Sequence, residues 1–129
     1  MPHYRISQAA QLLGVSDDTV RRWVDQGVLE VSTDESGRQV VDGVQLAAWA
    51  QERAASERPH GTSARNAFTG LVTRVVSDQV MSSVELQCGP YRVMALVSTE
   101  AVNDLGLEPG VMATARIKAT NVVIEGEHP

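Results

Sequence analysis

The hydrophobic pattern of this chain changes period once, and that change restricts its fold more than any other feature. Up to about residue 54 the apolar positions recur at spacings of three and four, as on one face of a helix. Beyond about residue 66 they alternate, as on a half-buried strand. Between the two lies AASERPHGTS, Ala54–Ser63, a stretch of turn and linker chemistry with little bulk. The 129 residues suit one average domain or two small ones, and the change of period favours two. The expectation is an α+β chain: residues 1–57 as a helical domain, 58–62 as linker, and 63–129 as a β-domain.

In the first half, Ser7 is the expected N-cap of a helix over Gln8–Leu13, which Gly14 ends. Ser16 caps a second helix, with Asp17 and Asp18 in its first turn, where the dipole favours acids. Val20, Trp23 and Val24 share its apolar face and Gly27 stops it. Val28–Val41 reads as a hairpin with the polar tip Glu35-Ser36-Gly37-Arg38. Asp42 opens a third helix to about Ala54, expected to bury Val44, Leu46 or Ala47, and Trp49. Helix, three-residue turn (Gly14-Val15-Ser16) and helix is the order of a winged helix-turn-helix, whose second helix enters the major groove of DNA. That helix presents Asp17, Asp18, Thr19, Arg21 and Arg22 away from Val20 and Trp23. Arg21 and Arg22 suit guanine edges or phosphates, and Arg38 suits a wing. Charge sets a condition: residues 1–57 hold five arginines and nine acids, a net charge of −4. Such a module binds DNA only if its arginines gather on one face. The plainer alternative is a solvated arginine face on a module that serves protein contacts. Trp23 and Trp49, at helical spacing, read as core residues.

In the second half, Phe68–Val76, Val80–Cys88, Tyr91–Val97, Val111–Lys118 and Val122–Glu125 read as strands, rich in β-branched residues. Gly89-Pro90 and Glu108-Pro109-Gly110 read as turns. A short helix, Glu100–Leu105, is capped by Ser98 or Thr99 and ended by Gly106. Five short strands and one helix predict a small OB-like five-stranded barrel. A domain of about 60 residues is marginal alone, so association is expected. Met81, Met94 and Met112 are expected in its core, with Cys88 as a small buried hydrophobe. Three segments offer donors to an anion: Ser63-Ala64-Arg65-Asn66, the helix start at Ser98, with its free backbone N–H groups, and Lys118 with Ala119-Thr120-Asn121. A tetrahedral dianion needs such convergent donors and positive charge. The alternative is that Arg65 and Lys118 are ordinary surface charges.

These segments carry two resemblances. RISQAAQLLGVSDDTVRRWVDQGVL resembles the winged helix-turn-helix of the MerR/excisionase type. The resemblance implies DNA contacts at Thr19, Arg21, Arg22 and Arg38. Asp34 and Glu35 beside Arg38 make this wing more acidic than is usual in that family. SARNAFTGLVTRVV, STEAVNDLGLEPG and ARIKATNVVIEG, in that order, resemble the Mop, or TOBE-type, molybdate-binding domain. This resemblance implies molybdate or tungstate bound between subunits. Ser63, Arg65, Lys118 and the Ala119 backbone would come from one chain, and Ser98 with the N–H groups around Ala101 and Val102 from its neighbour. Ala101 and Ala119 stand where relatives carry serine, which removes two hydroxyl donors. The family is also linked to molybdopterin, which keeps a pterin ligand open.

No apolar run approaches the ~20 residues that span a bilayer. The start, MPHYRISQAAQLLG, lacks the charged-then-apolar order of a signal peptide. One cysteine excludes an intrachain disulfide, and a cytoplasmic protein is expected. His3, His60 and His128 are far apart in sequence, with no Cys partner, and there is no P-loop or dinucleotide glycine fingerprint. Neither a metal cation nor an enzymatic activity is expected. Three readings follow. One is a molybdate- or tungstate-responsive regulator of transcription, binding double-stranded DNA as a homo-oligomer joined through the β-domain. Another is a molybdate storage or homeostasis protein whose helix-turn-helix serves assembly. The third is a DNA-binding protein whose β-domain only oligomerises.

Overall fold

The computed structural model of the chain describes residues 2–54 and 61–127. The fold is α+β, and the chain divides into two units, Met1–Glu57 and Arg58–Pro129. Of the expected linker, residues 58–60 lie outside the described part.

The first unit runs β1 (His3–Arg5), α1 (Ile6–Leu13), α2 (Asp17–Asp25), β2 (Ser32–Thr33), β3 (Gln39–Asp42) and α3 (Gly43–Arg53). Ser16 caps α2 as expected, its Oγ accepting the Thr19 N–H at 3.1 Å. Asp42 caps α3 by accepting the Gln45 N–H at 3.4 Å. The cap of α1 differs from expectation: it is Arg5, not Ser7, and the Arg5 N–H donates to Gln8 Oε1 at 3.0 Å. The reason is non-local. Residues 3–5 pair antiparallel with β3, Arg5 opposite Val40, so the chain passes straight from a strand into the helix. The three strands lie in the order β1-β3-β2.

Ile6, Ala9, Ala10, Val20, Trp23, Leu29, Val41 and Leu46 form the core of this unit. Trp49 packs edge-on against Trp23 with ring centroids 5.4 Å apart. The Arg53 guanidinium lies 4.6 Å from the Trp23 ring centroid. Aromatic and cation–π contacts of this kind hold α3 to α2 with about 0.5–1.5 kcal/mol each. Val44, expected inside, is 59% exposed. It lies two residues before the buried Leu46, about 200° around the helix, so both cannot face the core.

The second unit runs β4 (Asn66–Ser77), β5 (Met81–Cys88), β6 (Tyr91–Ser98), α4 (Thr99–Leu105) and β7 (Met112–Ile117). Its strands form one curled antiparallel sheet in the order β6-β5-β4-β7. β4 pairs with β7 over Asn66–Leu71 and with β5 over Leu71–Ser77. A register shift between Val72 and Arg74 falls just past the change of partner, and such a bulge bends the strand. The curl closes over Val72, Val84, Leu86, Cys88 and Val102. Gly70 makes the bend possible: a Cβ there would overlap the Gln87 carbonyl and lie 2.7 Å from Cys88 Sγ.

Two expectations are corrected here. The sheet has four strands, not the five of a barrel, because Val122–Glu125 joins no ladder among the described residues. Its β-branched run is fit for pairing, but pairing needs an edge. Val123 and Ile124 are instead 86% and 85% exposed. Met81, Met94 and Met112 are exposed and not core, Met112 at 76%. The alternation of β7 turns Ala113, Ala115 and Ile117 inward and leaves Met112 on the opposite face. Among the described residues no helix is long and apolar enough to cross a membrane.

Candidate functional site

The β4–β7 ladder decides where the basic residues of the second unit stand. Asn66 pairs with Ile117, so Arg65 and Lys118 are the next residues outward at the same end of the sheet. The Asn66 side-chain Nδ2 donates to the Ile117 carbonyl at 3.1 Å and ties the two segments together. Just before them the chain folds into a tight turn. The Ala64 N–H donates to Thr62 Oγ1 at 3.1 Å, and Arg65 Nη1 donates to the Thr62 carbonyl at 3.0 Å. Ala64 is buried while Ser63, Arg65 and Lys118 are exposed. Lys118 caps a short 3-10 turn, Ala119–Asn121. Ser63, Arg65, Lys118 and Ala119 thus share one end of the ladder, with no acid in 61–66 or 117–121. Two cations, hydroxyls and backbone N–H groups suit a dianion.

The start of α4 is built differently. Ser98 Oγ accepts the Ala101 N–H at 3.1 Å, and the Thr99 N–H donates to the Val80 carbonyl at 2.9 Å. A hydroxyl chain pins this start from below. Ser77 and Ser82 share a hydrogen bond of 2.6 Å, and Ser82 and Thr99 one of 2.8 Å. Thr99 Oγ1 lies 2.8 Å from the Asp78 carbonyl. Asp78 Oδ1 accepts the N–H groups of Met81 and Val80, both at 2.8 Å, and these bonds hold its carboxyl below the usual range. Val102 turns its side chain into the core, so it offers only its backbone. Sequence reasoning missed Thr62 and Ser82, and named Thr99 only as an alternative cap. The signal for Ser82 was there: it shares the inward face of β5 with Val84, Leu86 and Cys88, an odd place for a hydroxyl without a partner.

Register keeps these two groups apart. Ser98 pairs with Met81, beside the Ser77–Ser82 pair that ends β4. Arg65 precedes Asn66, where β4 begins. The 12 residues of β4, at about 3.3 Å each, run between the two ends.

In the first unit the expected DNA-facing residues separate as well. Thr19 is half-buried and its hydroxyl shares a 2.9 Å hydrogen bond with Ser16 Oγ, so it belongs to the cap of α2. Arg21 is exposed and 3.6 Å from Asp18. In the β2–β3 hairpin, Asp34 Oδ1 accepts the N–H groups of Ser36 and Arg38, both at 2.9 Å, so this acid shapes the tip. Arg21 and Arg38 line a common cleft, and neither Arg22 nor Thr19 is among its lining residues. Among the described residues no three His, Cys, Asp or Glu side chains gather as a metal site requires.

Comparison with known proteins gives matches for both halves. Residues 62–124 match the TOBE domain family, and residues 4–54 match a helix-turn-helix domain family. Molybdenum-pterin-binding protein 3 of Clostridium pasteurianum is 38% identical over 63 residues, which is 48% of this chain and 93% of that protein. A molybdate-binding protein from Sporomusa ovata aligns in structure with a TM-score of 0.49 and 29% identity, covering 50% of this chain and 97% of its own. The cytoplasmic molybdate-binding protein ModG, in a form with molybdate bound, aligns with a TM-score of 0.48 and 31% identity, covering 74% of this chain and 52% of its own.

Proposed function

Since the chain belongs to the TOBE domain family over residues 62–124 and carries a helix-turn-helix domain over residues 4–54, we propose that it is a regulator of transcription that binds DNA in response to molybdate or tungstate. The observation that carries this is the pairing itself. Almost the whole length of a molybdenum-pterin-binding relative falls on the second half of this chain, and the helix-turn-helix is an addition to it. In a storage protein the addition would serve assembly alone; in a regulator it binds DNA, the role for which a helix-turn-helix is built. In this reading residues 1–57 bind DNA, 58–62 connect, and 63–129 sense the oxyanion in the cytoplasm. The protein is not an enzyme and needs no metal cation.

Ser63, Arg65, Lys118 and the Ala119 N–H hold the oxyanion from one chain, and Ser98 with the N–H groups near Ala101 and Val102 hold it from a second, the Ala101 N–H by exchanging its bond to Ser98 Oγ for the anion. The separation of these groups along β4 supports a site shared between copies. Leu96, Met112, Val123 and Ile124 are exposed apolar side chains that contact between copies would cover. Apart from the two serine hydroxyls, of which Ser98 already accepts the Ala101 N–H, the set contains donors only, which disfavours a protonated phosphate, since that needs an acceptor. Arg21, Arg22 and Arg38, with Thr19, meet the DNA.

A single module of net charge −4 has little electrostatic hold on DNA. Copies joined through the β-domain add their contacts by effective concentration, and an anion at the subunit interface alters their spacing. Coupling of this kind is typically about 1–3 kcal/mol. The test is a binding isotherm on the chain's own promoter with and without saturating molybdate, with Arg65→Ala as control. A shift of about 5- to 150-fold in the wild type alone is expected. Superimposable wild-type curves would leave constitutive DNA binding, and no binding to any duplex would leave storage.

A further inference from the structure

Three of the five arginines of residues 1–57 meet in one place. Arg5 precedes α1, Arg21 lies on α2 and Arg38 stands in the β2–β3 hairpin. All three are exposed and line one open cleft of about 320 Å³ together with Ile6, Ser7 and Gln39. The placement is enforced by the fold. Arg5 pairs with Val40 in the β1–β3 ladder, which sets it beside the hairpin arm that carries Arg38 and Gln39. Ser7 follows it in the first turn of α1.

The electrostatics of the cleft run against those of its unit. Among the described residues no acidic side chain lines it, although acids outnumber arginines in residues 1–57. Asp18 approaches Arg21 only at 3.6 Å between two exposed groups, a weak and exchangeable contact. Asp34, four residues before Arg38, spends its Oδ1 on two backbone N–H groups, and Glu35, exposed at the hairpin tip, is not among the lining residues. Three guanidiniums held around one opening repel each other unless an anion sits between them. The cleft also spans the start of α1, α2 and the hairpin, the parts that meet the backbone flanking the groove when the second helix of a helix-turn-helix docks.

We propose that this cleft seats a backbone phosphate of duplex DNA and that Arg5 is one of its ligands, beside Arg21 and Arg38. The inference rests on the DNA-binding reading above and adds to it Arg5, which the helix-turn-helix resemblance does not assign as a DNA contact. A phosphate contact positions the protein without reading sequence. Its loss therefore weakens every duplex alike and lowers the dependence of affinity on salt by about one unit of slope. Arg22, outside the cleft, is left for other contacts.

The test uses the full chain, its promoter duplex and an unrelated duplex of equal length, with fluorescence anisotropy over a range of salt. Arg5→Gln is expected to lose several-fold in affinity on both duplexes and about one unit of salt slope. Arg5→Lys keeps the slope because it keeps the charge. Arg21→Gln and Arg38→Gln repeat the uniform loss, which covers the case in which Arg5→Gln disturbs the β1–β3 ladder. Unchanged affinity and slope in a folded Arg5→Gln, with wild type binding normally, overturns the phosphate seat and leaves DNA binding intact. A loss confined to the promoter duplex also overturns it, since that makes Arg5 a base reader. A wild type that binds neither duplex removes both readings.

Discussion

Asp78 sits in the turn between β4 and β5, where its carboxylate takes the N–H groups of Met81 and Val80. Both bonds favour the charged form, so its pKa is lowered from the ordinary 3.8. A group lowered on folding contributes stability that is fully present above its unfolded pKa and is lost as pH falls through the folded one. Thermal midpoints of wild type and Asp78→Asn should therefore differ by a constant amount above about pH 5 and converge as the pH drops below about 4. A gap that persists unchanged to pH 2 would contradict this. The same turn accepts Thr99 through the Asp78 carbonyl, so one acid shapes both a hairpin and the start of α4. At this scale the local caps were legible, Ser98 as one of two candidates with Thr99: Ser16, Asp42 and Ser98 each bond a backbone N–H three residues on. Arg5 was not, because its neighbour Val40 is distant in sequence.

β4 carries the second unit by changing partners along its length. It can do so only because Gly70 lets the chain pass close to β5. A methyl group at that position meets backbone on one side and the Cys88 sulfur on the other, and neither moves aside freely. Gly70→Ala is expected to cost about 1–3 kcal/mol, the range for overpacking a close contact. Urea unfolding followed by a probe in the second unit measures it, and an unchanged midpoint would show that the strand relaxes. The elements themselves were mostly visible in the period of the apolar residues. Where they were not, burial was decided elsewhere. Met112 belongs to an alternating strand, but alternation says only that one face is inward, not which. Val122–Glu125 has the composition of a strand and no ladder, since composition cannot supply an edge.

If Arg65 and Ser98 serve one oxyanion from two chains, a monomer has only half-sites at opposite ends of β4. Arg65→Ala and Ser98→Ala should each bind molybdate weakly. A mixed oligomer, prepared from the two variants, should recover part of the wild-type sites by titration calorimetry, because some interfaces pair an intact Arg65 end with an intact Ser98 end. Light scattering on the same samples reports their size. A monomer that still binds molybdate tightly would exclude the shared site.

The sequence by itself determined what is local: the switch from helical to alternating period, the caps at Ser16 and Asp42, the cap at Ser98 or Thr99, the stops at Gly14 and Gly106, and the motif residues from which the candidate site is drawn. These depend on interactions within a few residues, and such interactions are written in the order of the chain. The tertiary structure alone decided what is distant. It paired Asn66 with Ile117, so that Arg65 and Lys118 share an end. It set Ser98 at the other end, placed Arg5 beside the hairpin, and left Val122–Glu125 outside every ladder among the described residues. Ladder register is a contest among many non-local pairings, settled by which faces can be buried together, and no short stretch of sequence contains that information.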